Sequence, residues 1–298
     1  MTKISLIGAG NLGSFIAYEI ASRNLAEEIV LVDILKDLAE GQAMDIQQSL
    51  VNQNKTKVIS GDYDKIKDSE IVVIIAGKAR TPEMNDRLQL ASINIKIMNS
   101  ILKEIKEHAP NSTIITVSNP MDILNHYIYQ QGWAKEKVIG FGGQLDSARF
   151  KVTLGYPEQE IEGYVLGEHG EGQVPIFSKV KIDNELKEFS EEEKQKIKNQ
   201  SRSCAQEVIS KKGATVFAPA SNVADMVEAI VKDQKKLMIC STNLTGEYNI
   251  NDVSLGVPVI LGKNGIEEVQ VWDLAEDEFA ALNKAAEKLK AFYEEIMR

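Results

Sequence analysis

A chain of 298 residues exceeds a typical single hydrophobic core, which favours two domains or one large α/β unit. Its 43% hydrophobic and 26% charged residues are the composition of a folded globular protein and exclude long disordered tracts. The formal net charge of -10 repels a phosphate backbone, and without a dense Lys/Arg stripe to oppose it nucleic acid is excluded as a partner.

The first element is the apolar run KISLIG (3–8), which passes directly into Gly8-Ala9-Gly10-Asn11-Leu12-Gly13 and then a helical pattern from Ser14. Further apolar runs follow at IVLVDI (29–34), IVVIIAG (71–77), STIITVSN (112–119) and KVIGFGG (137–143), separated by helical patterns. Near-continuous apolar strands alternating with helices predict a parallel sheet covered on both faces, the doubly wound α/β class. Runs of this length are far too short to cross a bilayer, and no leader precedes the first strand, so neither a membrane partner nor export is expected.

The glycine segment has the GxGxxG spacing at the point where a strand turns into a helix. Gly8, Gly10 and Gly13 allow a tight turn and close approach of backbone to a pyrophosphate, Asn11 and Leu12 of the same segment join them as cofactor-binding candidates, and the helix N-terminus that follows supplies N–H groups and a partial positive charge. Twenty residues beyond Gly13, Asp33 ends the second strand, where a carboxylate accepts hydrogen bonds from ribose hydroxyls and repels a 2′-phosphate. The expected cofactor is therefore NAD, with NADP disfavoured.

After Gly143 the rhythm changes to α+β. EIEGYVLGEHG (160–170) is strand-like, the stretch from Ser190 to Lys211 is a charged helix, and Asn264-Gly265 between apolar runs predicts a hairpin with a type I′ turn. The chain ends in a helix with a start signature at Asp273 and Glu276, whose Phe279, Leu282, Ala286, Leu289, Tyr293 and Ile296 line one packing face. Cys204 and Cys240 are isolated, without CxxC spacing or clustered histidines, which points to a reduced, cytoplasmic chain with no metal site. The expected division is 1–142 for a nucleotide-binding domain and 143–298 for an α+β catalytic domain.

Four motifs in order, GAGNLG (8–13), SNPMD (118–122), LDSARF (145–150) and GEHG (167–170), resemble the lactate and malate dehydrogenases across essentially the whole chain. The resemblance implies a Rossmann-type domain followed by an α+β domain that carries the chemistry. It assigns His169, one of three histidines, as the acid/base that exchanges a proton with the substrate oxygen. Asp146 is then the orienting carboxylate, Arg149 the bidentate clamp on the substrate carboxylate, and Asn119 a contact for nicotinamide and substrate. In the loop AGKARTPEMNDRLQL (76–90), Arg87 matches the arginine that polarises the carbonyl.

Arg80 falls where malate dehydrogenases carry an arginine that reads the far end of the substrate. A second carboxylate would pair with it, whereas the methyl of pyruvate would leave the cation unpaired. The loop departs from the family pattern by one extra residue between the two arginines and by Glu83 in place of a usual glycine. The function implied is NAD-dependent interconversion of malate and oxaloacetate, with lactate or a broader 2-hydroxy acid as the alternative. A homo-oligomer, dimer or tetramer, and a place in the tricarboxylic acid cycle also follow from the resemblance. An NAD-dependent glycosidase is disfavoured by the malate/lactate-type loop and the lack of a Cys/His metal cluster, and a nucleotide sensor because it has no need of His169, Asp146 and Arg149 together.

Overall fold

The computed structural model describes residues 2–78 and 87–298, the Arg87 side chain excepted; Arg80, Glu83 and that side chain lie outside the described residues. The first half runs β1 (Lys3–Ile7), α1 (Asn11–Ser22), β2 (Glu28–Val32), α2 (Lys36–Leu50), β3 (Lys57–Ser60), β4 (Ile71–Ile74), α3 (Arg87–His108), β5 (Thr113–Thr116), α4 (Met121–Gln130) and β6 (Val138–Gly140). The strands lie in the order β3-β2-β1-β4-β5-β6, every neighbouring pair parallel. Residues of both faces, such as Ile4, Leu6, Ile29, Val30, Val72 and Val73, are buried, which is why the strands read as unbroken apolar runs. The order reverses between β1 and β4, so a crevice for a ligand opens at their carboxyl ends.

Five of these strands are visible as apolar runs in the sequence; β3 is not. Its four residues KVIS bury only Val58 fully, and a strand so short and polar has no apolar period of its own.

The second half runs α5 (Gly143–Leu154), β7 (Ile161–Glu162), β8 (Val165–Gly167), β9 (Gln173–Pro175), β10 (Lys181–Ile182), β11 (Glu185–Leu186), α6 (Glu191–Lys212), α7 (Phe217–Val231), β12 (Lys236–Thr245), β13 (Asn251–Gly262), β14 (Gly265–Val269) and α8 (Glu276–Met297). Its longer strands extend the parallel sheet instead of starting another. Ser241 of β12 pairs with Gly140 of β6, and the sheet continues antiparallel through β13, β8 and β9. Arg23, which caps the end of α1, donates to Asp225 at 2.6 Å and to Ser221 at 2.8 Å on α7, tying the two halves across the molecule.

Two local expectations change. The hairpin between β13 and β14 forms, but its turn residues are Lys263 and Asn264, and Asn264 is not in the left-handed region, so the turn is not type I′. The last helix starts at Glu276 with Ala275 as its cap, later than Asp273. The carboxylate that turns back is Glu278, which accepts from the Ala275 N–H at 3.2 Å and from both the N–H and hydroxyl of Ser178. The apolar stripe of that helix packs as expected, with Leu282, Ala286 and Leu289 buried in the main core. Among the described residues no helix is long and apolar enough to cross a membrane.

Candidate active site

The glycine segment lies at the carboxyl end of β1, inside the crevice. Gly13 packs so tightly that a Cβ there would run into the carbonyl oxygen of Gly8, whereas Gly10 faces open space. Helix α1 starts immediately after Gly10 with no side-chain cap, so its first N–H groups at Asn11 and Leu12 carry the partial positive charge of a helix start toward that space. Asp33 stands beside it: one carboxylate oxygen accepts from Ala9 N–H at 2.7 Å and the other from Leu35 N–H at 2.9 Å. A cavity of about 190 Å³ adjoins the carboxylate, bounded by Lys36, Ala39, Ser60 and Gly61. An open glycine turn, an uncapped helix start and a fixed carboxylate next to a cavity suit a dinucleotide's pyrophosphate and ribose.

The catalytic candidates meet on two elements. Asp146 and Arg149 sit one turn apart on α5, and Arg149 Nη1 donates to Asp146 Oδ1 at 3.1 Å. His169 sits in the tight loop between β8 and β9, with its Nδ1 2.7 Å from Asp146 Oδ2. Ser147 brings the two elements together, because its hydroxyl accepts from Val165 N–H at the start of β8. Room for the imidazole comes from Gly142, where a Cβ would stand 2.7 Å from both Cβ and Cγ of His169. The Asp146 side chain is 2% exposed, those of Arg149 and His169 15% and 17%: a buried carboxylate holds two cationic groups that still reach solvent.

Burial pulls the His169 pKa down, but the charge of Asp146 and its hydrogen bond, with a contribution from Asp122, outweigh burial and an opposing Arg149 and leave it above 6.5. The imidazolium is therefore stabilised relative to a free histidine, with Nδ1 engaged by Asp146 and Nε2 left to exchange a proton.

The nucleotide crevice and this cluster are joined by short contacts. A Cβ on Gly8 would stand 2.7 Å from the Ala76 backbone nitrogen, the Ser118 hydroxyl donates to the Ala76 carbonyl at 2.7 Å, and the next residue is Asn119. Asn119 is exposed, and its side-chain oxygen accepts from Met121 N–H at 3.3 Å. One turn on, Asp122 accepts from the backbone N–H of His169 at 2.8 Å.

Three residues at this junction escape a reading of the sequence alone. Asn94 is buried on α3; its amide nitrogen donates to the Asn119 carbonyl at 2.6 Å, and it exchanges two hydrogen bonds with the Lys78 backbone, where the Arg80 loop begins. Asp122 and Gly142 are the other two. Asn94 carries no motif by itself, although its place seven residues after Arg87 on a helix face is a usable signal; Asp122 is part of SNPMD and Gly142 of GFGG.

Comparison with known proteins agrees with this layout. Residues 2–140 match the NAD binding domain model of lactate/malate dehydrogenase, and residues 143–298 match its alpha/beta C-terminal domain. The chain is 43% identical to a malate dehydrogenase of Haloarcula marismortui, covering 99% of this chain and 100% of that one. It is 38% identical to L-lactate dehydrogenase 1 of Clostridium acetobutylicum, over 99% of this chain and 98% of the relative. The malate dehydrogenase of Archaeoglobus fulgidus, solved in complex with NADH, superposes with a TM-score of 0.92 at 38% identity and full coverage of both chains. Matched from end to end by both halves of one enzyme, the chain belongs to the lactate/malate dehydrogenase family of NAD-dependent oxidoreductases.

Proposed function

We propose that this protein interconverts malate and oxaloacetate with NAD as cofactor. The observation that carries the reading is the Asp146 carboxylate shared between His169 at 2.7 Å and Arg149 at 3.1 Å, next to the carboxyl end of a dinucleotide-type sheet. The relatives named malate dehydrogenase, 43% identical over nearly the whole chain, support the choice of acid.

NAD, when bound, would supply the acceptor for a hydride from the substrate's C2 carbon, and NADH the donor in the reverse direction. Gly8, Gly10, Asn11, Leu12 and Gly13 hold the pyrophosphate by backbone N–H groups and the helix start, and Asp33 takes the ribose hydroxyls. Arg149 grips the carboxylate beside the reacting carbon and orients the substrate. In oxaloacetate reduction, the His169 imidazolium gives its Nε2 proton to the carbonyl oxygen as C2 receives the hydride; in malate oxidation, neutral His169 takes the hydroxyl proton back. Asp146 holds Nδ1–H throughout, so that the ring keeps one orientation and the positive form is stabilised. Asn119 contacts substrate and nicotinamide, Arg87 polarises the carbonyl, and Arg80 pairs with the second carboxylate.

Residues 1–142 act as the cofactor domain and 143–298 as the substrate domain, a division supported by the ranges of the two matched models. A cytoplasmic homo-oligomer completes the proposal.

The test is the initial rate of NADH oxidation with oxaloacetate, pyruvate and a longer 2-oxo acid, repeated with NADPH. Oxaloacetate with NADH is expected to give the highest kcat/KM. Preference for pyruvate would replace the reading with lactate dehydrogenase, the activity named for a relative 38% identical over nearly the whole chain.

A further inference from the structure

Asp122 is buried on the first turn of α4, and both of its oxygens are occupied. Oδ1 accepts from the Ser241 hydroxyl of β12 at 2.6 Å, and Oδ2 accepts from the backbone N–H of His169 at 2.8 Å. Among the described residues no lysine or arginine pairs with it. An asparagine would satisfy both neighbours, accepting from His169 with its carbonyl oxygen and donating to the Ser241 hydroxyl, without the cost of burying a charge. A carboxylate kept there against that cost is explained by the His169 imidazolium, the cation that acts on it among the described residues.

We propose that Asp122 is a second positioning carboxylate for the acid/base histidine: it fixes the His169 backbone to the turn that carries Asn119 and adds its negative charge to that of Asp146. The proposal rests on His169 being the acid/base.

Glu168 and His169 face Asp122 from the loop after β8, and Asp146 and Arg149 face His169 from α5. Ala285 of α8 and Gly256 of β13, which lie against that loop and against β8, are uncharged. Burial pushes the Asp122 carboxyl up to about 7, against the Ser241 hydrogen bond and the His169 N–H and charge, which favour ionisation. Asp122 therefore gains its charge in the range where His169 works, and each ionised partner favours the charged form of the other.

The experiment follows the His169 ring by NMR in ¹³C-histidine-labelled protein with wild-type, D122N and S241A side chains. Only three histidines titrate, and the resonance lost in H169N identifies the one of interest. Removal of the Asp122 charge is expected to lower the His169 pKa by about one unit. S241A, which weakens the ionised form of Asp122, is expected to shift it the same way by less. The pH above which oxaloacetate reduction declines should move down with the ring pKa, while NADH affinity stays unchanged. An unchanged His169 pKa in D122N overturns the proposal, and if D122N does not fold, an unchanged pKa in S241A does so. The ring titration is read without turnover, so failure of the catalytic assignment of His169, seen as activity retained in H169N, is a separate result.

Discussion

His169 Nδ1 lies 2.7 Å from Asp146 Oδ2, and the other oxygen of the same carboxylate holds Arg149. One buried group thus sets the direction of the imidazole and the position of the guanidinium, the two cations an anionic 2-oxo acid requires. The consequence is testable in pH. His169 is raised above 6.5, so wild-type oxaloacetate reduction, which needs imidazolium, is lost as pH rises through that raised pKa, and malate oxidation, which needs neutral imidazole, is lost as pH falls through it. In D146N the pKa falls, the reduction limb moves to lower pH, and kcat drops by about 10²-fold or more. A pH profile identical to wild type would contradict the pairing.

Gly142 leaves the space that the imidazole occupies. In G142A the new Cβ would meet His169 Cβ and Cγ at 2.7 Å and Nδ1 at 3.0 Å, and the ring must shift. Misplacement on the scale of an ångström costs about 10²-fold in rate, so kcat should fall by about that factor while NADH affinity is retained. Rates within a small factor of wild type, from a folded variant, would show that the ring has slack.

In the proposed function, Asp33 selects the cofactor by charge. D33N keeps an oxygen to accept from Ala9 or Leu35 and removes the repulsion toward a 2′-phosphate. The ratio of kcat/KM for NADPH over NADH should rise about tenfold, corresponding to about 1.4 kcal/mol. No change in the ratio would place the adenosine ribose elsewhere.

His126, outside the catalytic cluster, is expected to contribute to acid sensitivity. It is buried, its Nδ1 is 2.7 Å from Asn243 Oδ1, and its ring packs edge-on to Tyr293. Burial lowers its pKa, only partly offset by the Asn243 hydrogen bond. A depressed folded pKa contributes stability that is present above the unfolded value of about 6.5 and is lost as pH falls through the folded pKa. Asp122, raised to about 7, acts in the opposite sense, and comparison of variant with wild type removes its contribution. H126Q should therefore lose less Tm than wild type between neutral pH and pH 5; equal losses would assign acid sensitivity to other groups.

Legibility in the sequence followed the range of the interactions. The glycine turn and Asp33 are read from local spacing because strand, turn and helix are consecutive there. Asp146 and Arg149 are readable as an i,i+3 pair on one helix, and His169 joins them through the order of four motifs. Asp122 and Asn94 are not readable as site residues, because what identifies them is contact with residues distant in the chain: Ser241, 119 residues beyond Asp122, and Asn119, 25 residues beyond Asn94. Strand β3 was hidden by its shortness. The hairpin at Asn264 was legible but its turn type was not, since the backbone angles of Asn-Gly depend on the register the flanking strands adopt.

The most direct measurement is NADH binding and oxaloacetate turnover in H169N beside the wild-type protein. Asparagine removes the titratable nitrogen and leaves the glycine turn, Asp33 and Arg149 in place. The expected result is NADH bound with wild-type affinity and a kcat for oxaloacetate reduced by about 10²- to 10⁴-fold. Turnover close to wild type in that variant would contradict the assignment of the proton to His169 and, with it, the chemistry proposed for the cluster.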